Sequence, residues 1–297
     1  MEQQNRKFKM IDVLYLLMMI LPIVFLIGLK ILTSPATTGI SISGARIYFK
    51  LPMPIQDLVI TEAQINSWFV MISIVGLCLY LTHGLKTQNI LRRQHLAEWI
   101  VEKVEKLVND NMGEYFSDFG PFIASIIGIS AFSSLMTLCG LFPPTSDINV
   151  VAGWAILVFL LITYYKLKGG VLNYLKGFTE PIFVMAPLNV LGEIATPVSM
   201  AFRHYGNVIS GTVISVLVVA ALQGLSAMVL GWLPGFLGEI PFLQVGVPAI
   251  LSVYFDVFSG CMQAYIFAML TMLNIAGAFP QEEYEKRRQK KLLKAKI

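Results

Sequence analysis

Apolar residues in this chain come in long runs, and six of them are predicted to span a hydrocarbon layer, which needs about 20 residues in helical form. They cover 11–32, 67–85, 119–142, 150–165, 181–233 and 245–279. A seventh segment, 93–110, has a different pattern. Leu96, Trp99, Ile100, Val104, Leu107 and Val108 recur at three- and four-residue steps, with Glu98, Glu102, Lys103, Glu105 and Lys106 between them. That is an amphipathic helix, suited to a membrane surface or a partner helix. The fold class predicted is all-α integral membrane protein, with about six embedded helices and one amphipathic helix on the cytoplasmic face. The fifth run has 53 residues and would reach about 80 Å as one straight helix at about 1.5 Å per residue. A bilayer core is only about 30 Å thick, so this run must break, tilt steeply or fold back. Pro181 and Pro187 are possible breaks before its central part, and Gly231 and Pro234 lie near its far end. The last two runs are therefore expected to form a long, strongly tilted hairpin.

Composition supports lipid as the solvent. Of 297 residues, 56% are hydrophobic and 13% charged, with mean hydropathy +0.70, where soluble domains carry about 25% charged residues. No linker-like stretch divides the chain, so 1–297 reads as one membrane domain. The first run follows Arg6, Lys7 and Lys9 as a signal sequence would. Its apolar part exceeds the usual h-region and no A-x-A cleavage pattern follows, which predicts a retained helix. Cys78, Cys139 and Cys261 lie in apolar runs without metal-ligand spacing and are expected to be buried thiols acting as small hydrophobes.

Charge sets the orientation. Of the 22 Lys and Arg, 18 fall on the side holding both termini, Lys30, Arg46 and Lys50 fall on the other, and Arg203 lies within a span. By the positive-inside rule both termini are cytoplasmic. The charged tail 282–296 reads as a solvated end near anionic headgroups.

Candidate chemistry concentrates in the last two runs. Asn189, Glu193, Thr196, Ser199, Arg203, Asn207 and Ser210 follow one another at steps of three or four, which places them on one side of a helix. An arginine at bilayer depth is costly and must face water, a counter-charge or both. In the last run Ser252, Asp256, Ser259, Gln263 and Asn274 share a face. The array therefore has an acidic group toward the cytoplasm, a central arginine and an acidic group toward the outside. Two polar half-paths could approach a fixed positive charge from opposite faces without joining. Such a charge bars direct passage of a cation and lowers the pKa of a mobile carboxylate passing it. The chain has no second carboxylate stripe, so the carrier is expected on another subunit. Structural readings compete: intramembrane charges can pair across helices to fix register, Thr196 and the serines suit helix packing, and the three histidines receive no role.

The segment PVSMAFRHYGNVISG, 197–211, closely resembles the signature P-x-S-L-x-L-R-L-F-G-N-x-x-A-G of subunit a of F-type ATP synthases. MQAYIF at 262–267 resembles the second signature of that family, and SLMTLCGLFPPTSDIN at 134–149 more weakly resembles its hairpin; the likeness runs over about 60–277. On that resemblance, 1–59 is an N-terminal extension with an extra helix, 60–279 the family core and 280–297 a cytoplasmic tail. Arg203 would be the essential arginine facing the ring of c subunits, and Asn207 and Gln263 its polar flanks. Asp256 would serve the outer half-channel, with Asp147 contributing at its mouth. The position nine after the arginine, often Glu or His in the family, is Thr212, and the acidic residue often found fourteen before it is replaced by Asn189, so Glu193 is assigned the cytoplasmic exit.

The resemblance implies a non-catalytic subunit of a bacterial plasma-membrane ATP synthase. It couples H+ or Na+ flow to rotation and has no cofactor. The partners it implies are the c ring, the peripheral-stalk subunit b, the remaining synthase subunits and lipid, with no nucleic acid. A stand-alone secondary transporter or channel is the alternative, though no internal repeat relates the halves. The P-loop, HExxH and paired-aspartate patterns of nucleotide sites and intramembrane enzymes are not seen.

Overall fold

The computed structural model describes residues 2–33, 44–54, 57–86, 92–179, 182–230 and 246–282, and most of these are helical. Among the described residues six stretches are long and apolar enough to cross a membrane: Met10–Thr33, Glu62–Thr82, Glu114–Cys139, Ile148–Lys168, Phe183–Val229 and Val253–Ala278. They coincide with the six predicted runs, and the all-α membrane class holds. At most 39% of any span's apolar window is buried within the protein. The remaining apolar surface must be covered by lipid or by other subunits.

The first helix, α1 (Glu2–Thr33), packs along α2 (Glu62–Thr82). Between them lies an antiparallel hairpin of β1 (Ile47–Leu51) and β2 (Leu58–Thr61), with Leu51 opposite Leu58 and an irregularity between Ile47 and Phe49. These strands are too short to stand out in the sequence pattern. The apolar part of α1 is tied down near both its limits. At one face the Asp12 carboxylate meets Arg93 at 2.8 Å and His83 at 2.9 Å, joining the beginning of that apolar part to the end of α2 and the start of α3 (Arg92–Met112). At the opposite face the Lys30 ammonium donates to the Gly140 carbonyl, and Arg46 donates to the Thr33 carbonyl at 3.2 Å. The Asp12 end is the basic face below.

Helix α3 is the amphipathic segment predicted over 93–110, and its apolar stripe divides in two. Val108 and Met112 enter the core, while Leu96, Trp99 and Ile100 stay exposed near the other end. The core is built where α3, α4 (Gly120–Leu135), α5 (Ile148–Lys168) and α9 (Gly260–Ala278) meet, with Ile123, Val158, Met272 and Ile275 fully buried. Helices α4 and α9 pack tightly against each other at Gly260. A Cβ built there would lie 2.4 Å from Ser134 Cβ and 2.6 Å from its Oγ. Small residues that let backbones meet are the usual packing device inside membranes.

After α5 the short α6 (Val171–Thr179) leads to α7 (Ala186–Leu230), a single helix of 45 residues. At about 1.5 Å per residue it reaches about 68 Å, more than twice the hydrocarbon thickness of about 30 Å. It must tilt or project. Pro187 is not a break: it occupies the first turn of α7, where the missing N–H has no intrahelical partner to lose. Pro181, Gly231 and Pro234 lie outside the described residues, as does the tail beyond Glu282.

The last span is α8 (Val247–Ser252), a π-helical stretch Val253–Ser259, then α9. Cys78, Cys139 and Cys261 are free and exposed, which corrects the expectation of burial. Apolar surroundings outside a membrane protein are as hospitable to a thiol as those inside it.

Candidate functional site

Helix α7 carries the predicted polar stripe, and a short amide contact ties it to the last span. Asn207 Nδ2 donates to Gln263 Oε1 at 2.6 Å, and Gln263 is 2% exposed. The two amides leave further donor and acceptor sites that can meet water or a partner. Arg203 is four residues before Asn207, about 6 Å of rise toward the basic face. Asp256 is seven residues before Gln263 on the antiparallel span, about 10 Å toward the opposite face. Glu193 is ten residues before Arg203, about 15 Å nearer the basic face. Arg203 thus lies midway between two carboxylates, about 15 Å of rise from each. Its side chain is exposed and has no hydrogen bond or ion pair among the described residues.

Toward the basic face a cavity of about 320 Å³ is lined by Lys166, Asn173, Tyr174, Asn189 and Glu193. The Glu193 side chain is 7% exposed and pairs with Lys166 Nζ at 2.9 Å, while Tyr174 donates its hydroxyl at 3.2 Å. Asn189 donates to the Phe178 carbonyl at 2.9 Å, bracing α6 against α7. Burial, followed by the Glu193 charge and the hydrogen bond to it, pushes the Tyr174 phenol above its usual range. Lys166 and Tyr174 were not foreseen. They approach Glu193 only because α5 and α6 fold back on α7, and no local spacing encodes that.

Toward the opposite face the cavities are linked by shared residues. One of about 350 Å³ is lined by Ser146, Asp147, Tyr205 and Thr212. Another of about 290 Å³ takes in Lys30, Arg46, Glu62, Thr212, Ser215 and Asp256. Thr212 and Asp256 also line a narrow space of about 20 Å³ that continues to Asn207 and Gln263, enough for about one water molecule. The polar route from this face thus ends one helical turn short of Arg203. Thr212 bonds the Val208 carbonyl at 3.0 Å and offers an uncharged oxygen where a titratable group was missed. Asp147 has a structural duty as well: it caps α5, accepting from the Asn149 backbone at 3.0 Å and from Thr61 Oγ1 at 3.3 Å.

Two further features were not legible beforehand. The π-helical stretch centres on Asp256, and such wide turns collect at functional sites because they re-aim side chains. His204, given no role, is 1% exposed, packed edge-on to Trp154 and Phe267 and 3.4 Å from Ser130 Oγ. Burying it on one side of the helix leaves Arg203, one residue back, facing outward.

The family profile described as ATP synthase A chain matches residues 64–276. The chain belongs to the ATP synthase subunit a family. It is 28% identical to "ATP synthase subunit a, sodium ion specific" of Propionigenium modestum over 89% of this chain and 96% of that protein. It is 30% identical to ATP synthase subunit a of Trichlorobacter lovleyi over 74% of this chain and 88% of that one. With a subunit a of a Bradyrhizobium strain it shares 31% identity over 75% of this chain and 91% of that one. This subunit a chain is a multi-pass membrane component of the ATP synthase complex. The matched region coincides with the part of the sequence whose motifs resemble the family, and α1 and the β-hairpin precede it.

Proposed function

We propose that this chain is the ion-path stator of the synthase, offering two half-channels that end on either side of Arg203 and open onto the ring of c subunits. The observation that carries this is the arginine itself: it is exposed at mid-depth, has no counter-ion among the described residues, and lies between two carboxylate-lined cavities reached from opposite faces. An uncovered guanidinium in hydrocarbon costs about 2.5–3.5 kcal/mol by insertion measurements. A ring carboxylate opposite it would remove that cost.

The lysine and arginine distribution orients the basic face, and both termini, toward the cytoplasm of a bacterial cell. On that orientation a cation enters through the Thr212–Asp256 cavities and binds a ring carboxylate. It travels with the ring and leaves through the Lys166–Glu193 cavity. Arg203 keeps its charge at all relevant pH and acts twice. It repels a cation attempting to cross between the half-channels directly. It also draws an approaching ring carboxylate toward its ionised form: a charge pair about 4 Å apart at an effective dielectric near 20 is worth about 4 kcal/mol, or about three pKa units. Asn207 and Gln263 hold the two helices in register beside it, and Asp147 and Asn189 support the rims. The chain breaks no bond itself. Subunit b would dock on its lipid-exposed surface. The cation, H+ or Na+, is selected by the ring's binding site; one relative is named as sodium-specific.

The test is ion-driven ATP synthesis in inverted vesicles holding wild-type, Arg203→Ala or Asp256→Ala complexes. Arg203→Ala should abolish coupled synthesis while the complex remains assembled. Synthesis near the wild-type rate would make Arg203 a structural charge and end this reading.

A further inference from the structure

We propose that Glu62, at the first turn of α2, is a further ion-path carboxylate, the one an incoming cation meets before Asp256, in a vestibule walled by the N-terminal extension. The inference rests on the half-channel reading above and extends it to the part of the chain that precedes the family match.

Glu62 is 7% exposed. Among the described residues its carboxylate has no hydrogen bond and no ion pair, although its backbone N–H is bonded to the Arg46 carbonyl at 2.7 Å. The residue is largely enclosed, but its carboxylate oxygens are not sealed off, and a carboxylate with no protein partner needs water or an ion to meet it. It persists where the group faces water or a passing ion. Glu62 does line such a space, the cavity of about 290 Å³ that also reaches Thr212, Ser215 and Asp256. It is therefore connected to the polar route that continues toward Gln263.

The cations in the same cavity explain why the site stays open. Lys30 and Arg46 both line it, yet each donates to a backbone carbonyl, Lys30 to Gly140 and Arg46 to Thr33, and neither comes within ion-pair distance of Glu62. Those same bonds fasten the outer end of α1 to the rest of the chain. The extension thus supplies a wall and two fixed positive charges, and these balance a second carboxylate without neutralising it by contact. A cation arriving from this face would bind Glu62 and pass by way of water and Thr212 to Asp256. This gives α1 a task in ion access.

The experiment uses the assembled synthase in vesicles, with Cys78, Cys139 and Cys261 replaced by alanine. In that background Glu62→Gln should lower ion-driven synthesis per assembled complex on the order of tenfold, and Glu62→Asp should retain most of it. Glu62→Cys should react with a membrane-impermeant thiol reagent applied from the opposite face and not from the basic face. A cationic methanethiosulfonate there should block turnover, and an anionic one should restore it toward wild type. Full turnover in Glu62→Gln, or a Glu62→Cys thiol unreactive from the opposite face, would overturn the proposal. Asp256→Asn, run in parallel, separates the two levels. If it fails and Glu62→Gln does not, only the role of Glu62 is lost; if neither impairs turnover, the half-channel reading falls with it. Should Glu62→Gln fail to assemble, the thiol reactivity and the charge dependence of the two reagents decide the matter.

Discussion

The contact between Gly260 and Ser134 allows a quantitative test, because it joins packing to the site directly. Gly260 stands between Asp256 and Gln263, four residues after one and three before the other. A methyl group added there would meet Ser134 Cβ at 2.4 Å and Oγ at 2.6 Å; the next atom, Ser134 Cα, is at 3.8 Å. Ordinary contact begins near 3.4 Å, so Gly260→Ala must push α9 from α4 by about 1 Å or force Ser134 off its position. Overpacking of this kind costs about 1–3 kcal/mol. Removing the serine side chain clears both short contacts and leaves only the 3.8 Å approach. Ser134→Gly costs about 0.5 kcal/mol in helix propensity, and it should rescue Gly260→Ala. The double variant is thus expected to be more stable than the sum of the single changes by about 1–3 kcal/mol. Thermal unfolding of the purified complex measures the cycle, and ion-driven synthesis provides a second readout, since moving α9 displaces Asp256 and Gln263 relative to α7. Additive effects of the two substitutions, or a Gly260→Ala complex that melts and turns over like wild type, would refute the claim that this approach is tight and sets the site.

Three other outcomes are expected. Lys166→Ala and Glu193→Gln should each impair ion-driven synthesis, and the double variant should be less impaired than their product, with coupling of about 1–3 kcal/mol; independent effects would mean that the 2.9 Å pair is incidental. His204→Ala should leave a cavity between Trp154 and Phe267 and destabilise the complex by about 2–4 kcal/mol, while His204→Phe refills the apolar pocket and keeps most of the stability, as thermal unfolding will report. The folded protein raises the Tyr174 pKa, so the phenol keeps its proton where the unfolded chain releases it near pH 10. That contribution is complete below about pH 10 and is lost as pH rises through the folded value, so Tyr174→Phe should lose less stability than wild type between about pH 9 and 11.

Much of the architecture could be read from the chain because lipid imposes a simple rule: apolar runs of the right length become helices. The six spans and the amphipathic helix followed from that, as did the stripe containing Arg203. The continuity of α7 was less legible, since a proline such as Pro187 breaks a helix or opens one depending on whether it falls in the interior or the first turn. The π-helical stretch at Asp256 leaves no periodic trace in seven residues. The partners of Glu193 were hidden for another reason. Lys166 looked like one of many loop cations, and its proximity to Glu193 depends on how α5 and α7 pack. Glu62 carries no signal in the sequence for a different reason: a carboxylate at a helix start ordinarily reads as a favourable first-turn charge.

The contrast among the polar groups bears most directly on function. Glu193 has a cation and a phenol, Asn207 has Gln263, and Asp147 has a helix N-terminus to cap. Each has a partner within the chain. Arg203 is not satisfied within the described residues, although the neighbouring His204 is buried by its own subunit. A fold able to sequester an imidazole at that depth could have enclosed the guanidinium as well; turning it outward leaves the subunit less stable by itself. That exposure is what the proposed function requires of a surface whose counter-charge would be supplied by a moving partner. On that proposal a permanent internal counter-ion would quench the field acting on each arriving ring carboxylate, so the arginine would have to be left unpaired by its own chain.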